Sequence, residues 1–286
     1  DRTVGINHKP KEDFISRLEK STGIKSPNSH GYDAVESVHA MLSGSGKVFL
    51  SMGGNFLSAM SDTNLVSDAL ENCNLTVQIS TKLNRSHLVT GRKAIILPCL
   101  GRTELDISIS GNQFVSVENS MGIVHSSQGK NNPASKELLS EPSIVCNLGK
   151  FLDQIIGDSG INWDQLCENY DRIRDLIEDT IPGFNDYNNR VRIKEGFYLP
   201  NPPRDSRTFN TDSGLANFRI NKLENLSSSE NEFVMMTIRS HDQYNTTIYS
   251  SNDRYRGIKG GRRIIFMNPE DILSSNISPD SKVNIT

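Results

Sequence analysis

Apolar and polar positions alternate in two rhythms along this chain, one helical and one strand-like. Residues 11–22 place Phe14, Ile15 and Leu18 on one helical face, with Gly23 as a left-handed stop. After a polar loop through Pro27 and Asn28, residues 33–42 read as a second short helix, halted by Gly44-Ser45-Gly46. Residues 47–52 are a short apolar run, the mark of a buried strand, broken by Gly53-Gly54-Asn55. A helix over 61–71, a strand over 75–79 and a third strand over 92–97, closed by Pro98, complete a repeating pattern. Strands alternating with helical segments predict crossover connections and a mostly parallel sheet.

Further on, 114–118 alternates as an edge or insertion strand, and 134–157 and 162–180 read as helices. Trp163, Leu166, Tyr170, Ile173 and Ile177 recur at helical spacing, which core packing explains. The texture changes at 199–203, a Pro-rich stretch read as a linker. Beyond it come β-like runs at 216–220, 232–238 and 262–267, then a helix start at Pro269 with Asn268 as its cap. Residues 281–286 look like the beginning of another strand. The fold expected is α/β: a parallel-sheet domain over 1–199, then a β-rich domain over 200–286.

Composition narrows the function. The 286 residues are 35% hydrophobic and 23% charged, polar for a globular chain but short of disorder. A net charge of -3 predicts no general attraction to nucleic acid or acidic membranes. Cys73, Cys99, Cys146 and Cys167 are scattered, with no C-x-x-C pair, so no zinc ribbon or locally ligated iron–sulfur cluster is encoded. Sparse cysteines suit a reducing cytoplasm. No apolar stretch reaches the roughly 18 residues of a membrane span. Asp1-Arg2-Thr3-Val4-Gly5 has neither an initiator Met nor a signal sequence, which points to processing or to a piece of a longer chain.

Ligands of open α/β sheets sit at the carboxyl ends of strands, and three polar loops fall there. Gly53, Gly54 and Asn55 leave the first strand, where backbone N–H groups can approach a phosphate; a tight turn explains them equally well. Ser80, Thr81, Lys82, Asn84 and His87 leave the second, offering hydroxyl, amide, ammonium and imidazole groups that suit a phosphate–sugar–base ligand, against the plainer reading of a solvated loop. Cys99, Gly101 and Arg102 leave the third; a lone Cys is most often a small buried hydrophobe. In the second domain Arg239, Ser240, His241, Gln243 and Asn245 follow a β-run. His241 and Asp242 are adjacent and on a strand would face opposite sides, which disfavours a shared metal. No metal ligand and no catalytic residue is assigned. The residues predict a large nucleotide-like ligand between the two domains, without naming it.

Taken together and in order, these stretches resemble one family. The runs 48–55, 79–89, 95–106, 117–121 with 124–125, 140–145, 181–184, 239–263 and 266–271 are similar to the molybdopterin oxidoreductase superfamily that includes dimethyl sulfoxide reductase, in its formate-dehydrogenase-like alpha-subunit branch. The resemblance implies the C-terminal portion of such a protein. Residues 1–199 would form part of its Rossmann-like α/β domain, and 200–286 a truncated double-psi β-barrel. It implies a molybdenum bis(molybdopterin guanine dinucleotide) cofactor. Gly53, Gly54 and Asn55 would lie on a pyrophosphate, and Ser80, Thr81, Lys82 and Asn84 on phosphate, ribose or guanine. Arg239, Ser240, His241, Gln243 and Asn245 would close from the barrel side. The metal-ligand residue and any iron–sulfur cysteines belong to a portion not included here, so the chain alone is expected to be inactive. The implied partners are the cofactor, the rest of the polypeptide and an electron-transfer subunit. Ser213-Gly214-Leu215-Ala216 departs from the family, which places a Lys after the Gly. Two other readings stay open: a non-catalytic nucleotide- or nucleic-acid-binding module using Arg254 to Arg263, and a structural fragment.

Overall fold

The computed structural model describes residues 11–27, 29–223, 229, 232–239, 241, 243–244, 246–247, 251–261 and 263–285. The chain divides into two units, Asp1–Arg219 and Ile220–Thr286. Helix α1 (Glu12–Thr22) carries Glu12 and Asp13 in its first turn, where the helix dipole favours them, and ends on left-handed Gly23. Helix α2 (Ala34–Leu42) opens on a reciprocal capping box between Asp33 and Glu36.

The sheet that organises the first unit follows. Strand β1 (Val48–Met52), helices α3 (Phe56–Ala59) and α4 (Thr63–Glu71), strand β2 (Leu75–Ser80), a 3-10 turn (Arg85–Leu88) and strand β3 (Lys93–Pro98) succeed one another. The strands pair in the order β1-β2-β3, all parallel, with Val48, Leu75 and Lys93 aligned. Parallel neighbours need a crossover; α3 with α4 supplies one, and the segment holding the 3-10 turn supplies the other. One face of the sheet lies under α2 and α4, where Val38, Met41, Val66, Leu70 and Cys73 bury against Phe49 and Phe56. Thr76 and Gln78 are buried on that face and satisfied: Gly91 N–H donates to Thr76 Oγ1 at 3.2 Å, and Gln78 Nε2 donates to Ser86 O at 2.8 Å.

Antiparallel pairs come next. Strand β4 (Ile107–Ser108) pairs with β5 (Gly111–Asn112), and β6 (Val115–Glu118) pairs with β7 (Ile123–Ser127), which also pairs with β8 (Phe197–Tyr198). The alternating run at 114–118 is thus one arm of a hairpin. A second core forms here from Val124, Phe184, Tyr187, Val191 and Phe197. Its rings meet at centroid distances of 4.7 Å (Phe184–Tyr187) and 5.8 Å (Tyr187–Phe197).

Several predicted elements differ, two helices and the linker first. The helix expected over 134–157 begins only at α5 (Glu141–Ile156): Ser140 caps it, Pro142 stands in its first turn, and Leu139 is drawn into a bridge with Cys99. The helix expected over 162–180 is two, α6 (Trp163–Glu168) and α7 (Tyr170–Thr180). Asn169 breaks it by capping α7, while Tyr170 N–H leaves the helical ladder to donate to Gln113 Oε1 at 2.9 Å. After α8 (Tyr187–Arg190), the Pro-rich stretch read as a linker winds into α9 (Pro202–Ser206), because Asn201 caps a turn whose first positions tolerate Pro.

In the second unit β9 (Gln243–Tyr244) pairs antiparallel with β10 (Thr246–Thr247), and α10 (Pro269–Ser274) starts as predicted, with Glu270 N–H donating to Asn268 Oδ1 at 2.9 Å. The β-runs expected at 232–238 and 262–267, and the one at 216–220, form no strand among the described residues; Arg262 lies outside them. Phe218 is 95% exposed and Ile220 94%. A strand exists only where a second segment takes up its backbone groups, and the described residues supply none. The same holds at 281–285, with Thr286 outside the described residues. The observed architecture is α/β, with a three-stranded parallel sheet and separate antiparallel pairs. Among the described residues no helix is long and apolar enough to cross a membrane.

Candidate functional site

Parallel order sends the exits of β1, β2 and β3 to one edge of the sheet. At the β1 exit Gly53 and Gly54 take φ of +67° and +74°, and Gly53 N–H donates to Ile79 O at 2.7 Å, so the turn is tied back to β2. Asn55 caps the short helix α3 and its Oδ1 accepts from Ser86 Oγ at 2.8 Å. At the β2 exit Ser80 Oγ donates to Lys82 O at 2.6 Å, closing a tight polar turn. Asn84 Nδ2 donates to Gly54 O at 2.7 Å, joining the second exit to the first. Thr81 and Lys82 are exposed.

His87 lies inside rather than on the edge. It is 9% exposed, its Nδ1 accepts from Asn84 N–H at 3.0 Å, and its Nε2 is buried without a hydrogen-bond partner among the described residues. At the β3 exit the Cys99 side chain is buried, and burial, with Glu141 and Glu104 adding to it, pushes the thiol up from its ordinary value. A protonated, enclosed thiol is no nucleophile. Gly101 N–H donates to Glu104 Oε2 at 2.6 Å and Ala134 N–H to Glu104 Oε1 at 2.8 Å, while Arg102 is exposed. A cavity of about 110 Å³ beside this exit is lined by Gly101, Arg102, Glu104, Gln113, Ser140 and Glu141. The larger groove, about 480 Å³, lies on α5 and α6 between Lys150 and Asp164; it opens widely to solvent and has no part in the strand-end edge.

The edge therefore sorts into two sets. Asn55 and Asn84 tie the β1 and β2 exits together, while Ser80 and His87 bond within the β2 exit loop and shape it. Thr81, Lys82 and Arg102 are exposed, as is Gly54, whereas Gly53 is half-buried with its N–H donated to Ile79 O and its carbonyl accepting from Ser51 Oγ. Behind the β3 exit, Tyr170 OH donates to Asp106 Oδ2 at 2.6 Å and lies 2.5 Å from Ser140 Oγ. Burial, reinforced by the Asp106 bond, drives the Tyr170 phenol upward, so it stays a donor.

In the second unit, Ser240 and Asn245 lie outside the described residues, and Gln243 is described through its backbone in β9. Arg239 is exposed. His241 stacks on Tyr255 at 4.3 Å between centroids, and its Nδ1 is 2.7 Å from Arg256 Nη1 and 3.5 Å from Asp253 Oδ1. Asp253 has no exposed side-chain surface, yet what encloses it is its own turn rather than a deep core. Burial works against its charge. The N–H groups of His241, Tyr255 and Arg256 and the His241 ring outweigh that and hold its carboxyl down at about 2.

Sequence reading placed Asp253, Glu104 and Glu141 inside its matching runs but assigned them no role. Glu104 had a weak signal, standing three residues after Gly101; Asp253 had none, because His241 is 12 residues away. Glu141 stands in the first turn of α5, with its Oε1 at 4.0 Å from where a Gly53 Cβ would sit. Among the described residues no group of three His, Cys, Asp or Glu is placed to hold a metal.

No protein-family model matches the chain. It is 48% identical over 286 residues to "Uncharacterized oxidoreductase Rv2900c" of Mycobacterium tuberculosis, covering 100% of this chain and 36% of that protein. The chain is similar to a named oxidoreductase. It matches "Uncharacterized oxidoreductase Mb2924c" of Mycobacterium bovis to the same extent, and is 43% identical over 288 residues to "Protein YdeP" of Escherichia coli (strain K12), 37% of which is covered. The chain spans just over a third of the length of these relatives.

Proposed function

We propose that this chain is a cofactor-holding portion of a molybdenum oxidoreductase of the formate-dehydrogenase-like type, with a Rossmann-like first domain and part of a double-psi barrel after it. Its strand-end edge receives part of a bis(molybdopterin guanine dinucleotide). The observation that carries this reading is the β1 exit. Gly53 and Gly54 both hold positive φ; Gly53 N–H is taken by Ile79 O, but among the described residues nothing beyond its chain neighbours lies within 4 Å of the place a Gly54 Cβ would take. Such a backbone is open to a phosphate. Exposed Lys82 and Arg102 leave the two neighbouring strands and supply cations for a pyrophosphate.

The edge is not uniformly positive. Glu104 is engaged by backbone N–H groups, but Glu141 stands beside Gly53 and disfavours an anion there. The donor set therefore fits a pyrophosphate over Gly54 and Lys82 better than over Gly53. When bound, the molybdenum centre supplies the two-electron oxidation or reduction of substrate. This chain's residues bind and orient: Asn84 locks the glycine turn to the β2 exit, and Lys82 and Arg102 neutralise phosphate charge. The mycobacterial relatives' name, uncharacterized oxidoreductase, agrees with the class, and their length agrees with a chain that works as part of a larger enzyme. Electron delivery to a partner subunit belongs to the same proposal.

The nucleic-acid reading loses support, since Arg256 is engaged with Asp253 and His241. Calorimetric titration of the chain with guanosine diphosphate and with a single-stranded oligonucleotide separates the two. Saturable diphosphate binding is expected, weakened about tenfold by Lys82→Ala or Arg102→Ala, with no turnover of formate by the chain alone. Oligonucleotide binding that falls steeply with salt, without diphosphate binding, would overturn the cofactor reading.

A further inference from the structure

The β1-β2-β3 sheet has a second face. Opposite to Phe49, Thr76 and Gln78 project Leu50 and Met52 on β1, Val77 on β2, and Ile95 and Leu97 on β3. The register sets Leu50 beside Val77 and Val77 beside Ile95. These are apolar, as are Val48, Leu75 and Ile79 on the same face; Lys93, at the start of β3, is the charged member, and Ile79 on the central strand is buried. The outer strands lie open: Leu50 is 48% exposed, Ile95 45% and Leu97 37%. Parallel sheets occur with both faces covered; a face left to water belongs to antiparallel sheets, where it is polar.

β3 carries an independent signal. All six of its residues are exposed, including Ile96, at 42%, which projects toward the helix-covered side. Among the described residues β3 pairs only with β2. Sheet edges that face water are blunted by charges, bulges or shortness; the middle of β3 reads Ala94-Ile95-Ile96-Leu97. Helix α5 repeats the theme, with Val145, Leu148, Leu152 and Ile155 at helical spacing and all exposed. Uncovered apolar surface on this scale marks an interface.

We infer that another portion of the same polypeptide completes this sheet, by adding a strand along β3 and laying an apolar helix across Leu50, Val77 and Ile95. Length argues for that occupant. The matched segment is 36% of the mycobacterial relative and 37% of YdeP, which leaves most of each relative to pack elsewhere. A second copy fits less well, since a two-fold axis at the β3 edge would pair β3 with itself antiparallel and break the all-parallel order. The inference does not rest on the cofactor reading and stands or falls without it.

The test uses the full-length protein. Leu50→Cys and Ile95→Cys variants are alkylated with a maleimide under native conditions and in urea, and the modified peptides are quantified by mass spectrometry. Native modification about 100-fold slower than in urea, at every protein concentration, is expected. Rates within a few-fold of each other overturn the inference, as does protection that disappears on dilution, which would assign the face to a second copy. Hydrogen exchange on the unmodified full-length protein guards against a misfolded variant. The peptide over 93–98 is expected to exchange as slowly as that over 75–80; exchange as fast as at 81–84 contradicts the added strand.

Discussion

Replacing Arg174 with alanine is expected to destabilise the chain by about 3 kcal/mol, the lower end of what breaking a buried ion pair costs. Arg174 keeps only 4% of its side chain exposed and pairs with Asp171 one helical turn away. Its Nε donates to Asn188 Oδ1 at 2.7 Å and its Nη1 to Phe114 O at 3.1 Å, and the guanidinium lies 4.0 Å from the Phe114 ring centroid. Truncation strands all of these partners together. The lower end applies because Asp171 is 31% exposed and retains Arg192 at 2.7 Å. Burial opposes the charge on Asp171, but the bonds from Arg192 and Arg174 prevail and set its carboxyl below the ordinary value. A depressed carboxyl stabilises the fold above its unfolded value of about 3.9 and loses that contribution as pH falls through the folded one. Urea unfolding followed by Trp163 fluorescence should therefore show a smaller acid-limb loss in Arg174→Ala than in the parent. An unchanged midpoint and acid limb would contradict the role given to this pair.

Gly196→Ala is expected to cost a comparable amount, also about 3 kcal/mol. Gly196 holds φ +69°, and an added Cβ would meet Val124 O at 2.2 Å and His125 Cβ at 2.9 Å. A left-handed residue with a side chain costs about 1–2 kcal/mol and forced overpacking about 1–3. The obstacle here is the backbone of β7, which β8 needs as its partner, so it cannot swing aside. Gly23→Ala, with φ +74° and nothing within 4 Å, isolates the conformational part and should cost only about 1 kcal/mol. Equal losses in the two variants would show that the close approach to β7 does not matter.

The parallel sheet was legible because each strand is a short apolar run, β1 stopped by Gly53-Gly54, β2 by the polar loop from Ser80 and β3 by Pro98. The cap Asn268 likewise announced α10, and Gly44-Ser45-Gly46 the end of α2. The break at Asn169 was not legible, since its cause includes Gln113, 57 residues away. The β-runs after residue 215 failed for a related reason: a strand belongs to two segments, and one apolar run cannot disclose whether its partner is present. At the candidate site, loop membership could be read from strand ends, but the division of labour could not. Asn84 and Ser80 look like ligands in sequence and turn out to brace the loops. Glu141 was given no role because it reaches the edge from α5 rather than from a strand exit.

The proposal that this chain holds part of a guanylated molybdopterin in a larger enzyme has a direct chemical consequence. Metal analysis and guanine-nucleotide release on the full-length protein, purified without added metal, address it most directly. About one molybdenum and about two guanine nucleotides per polypeptide are expected, as a bis-dinucleotide cofactor demands, both falling together when Lys82 and Arg102 are replaced by alanine. Full-length, folded protein that carries neither molybdenum nor guanine would contradict it.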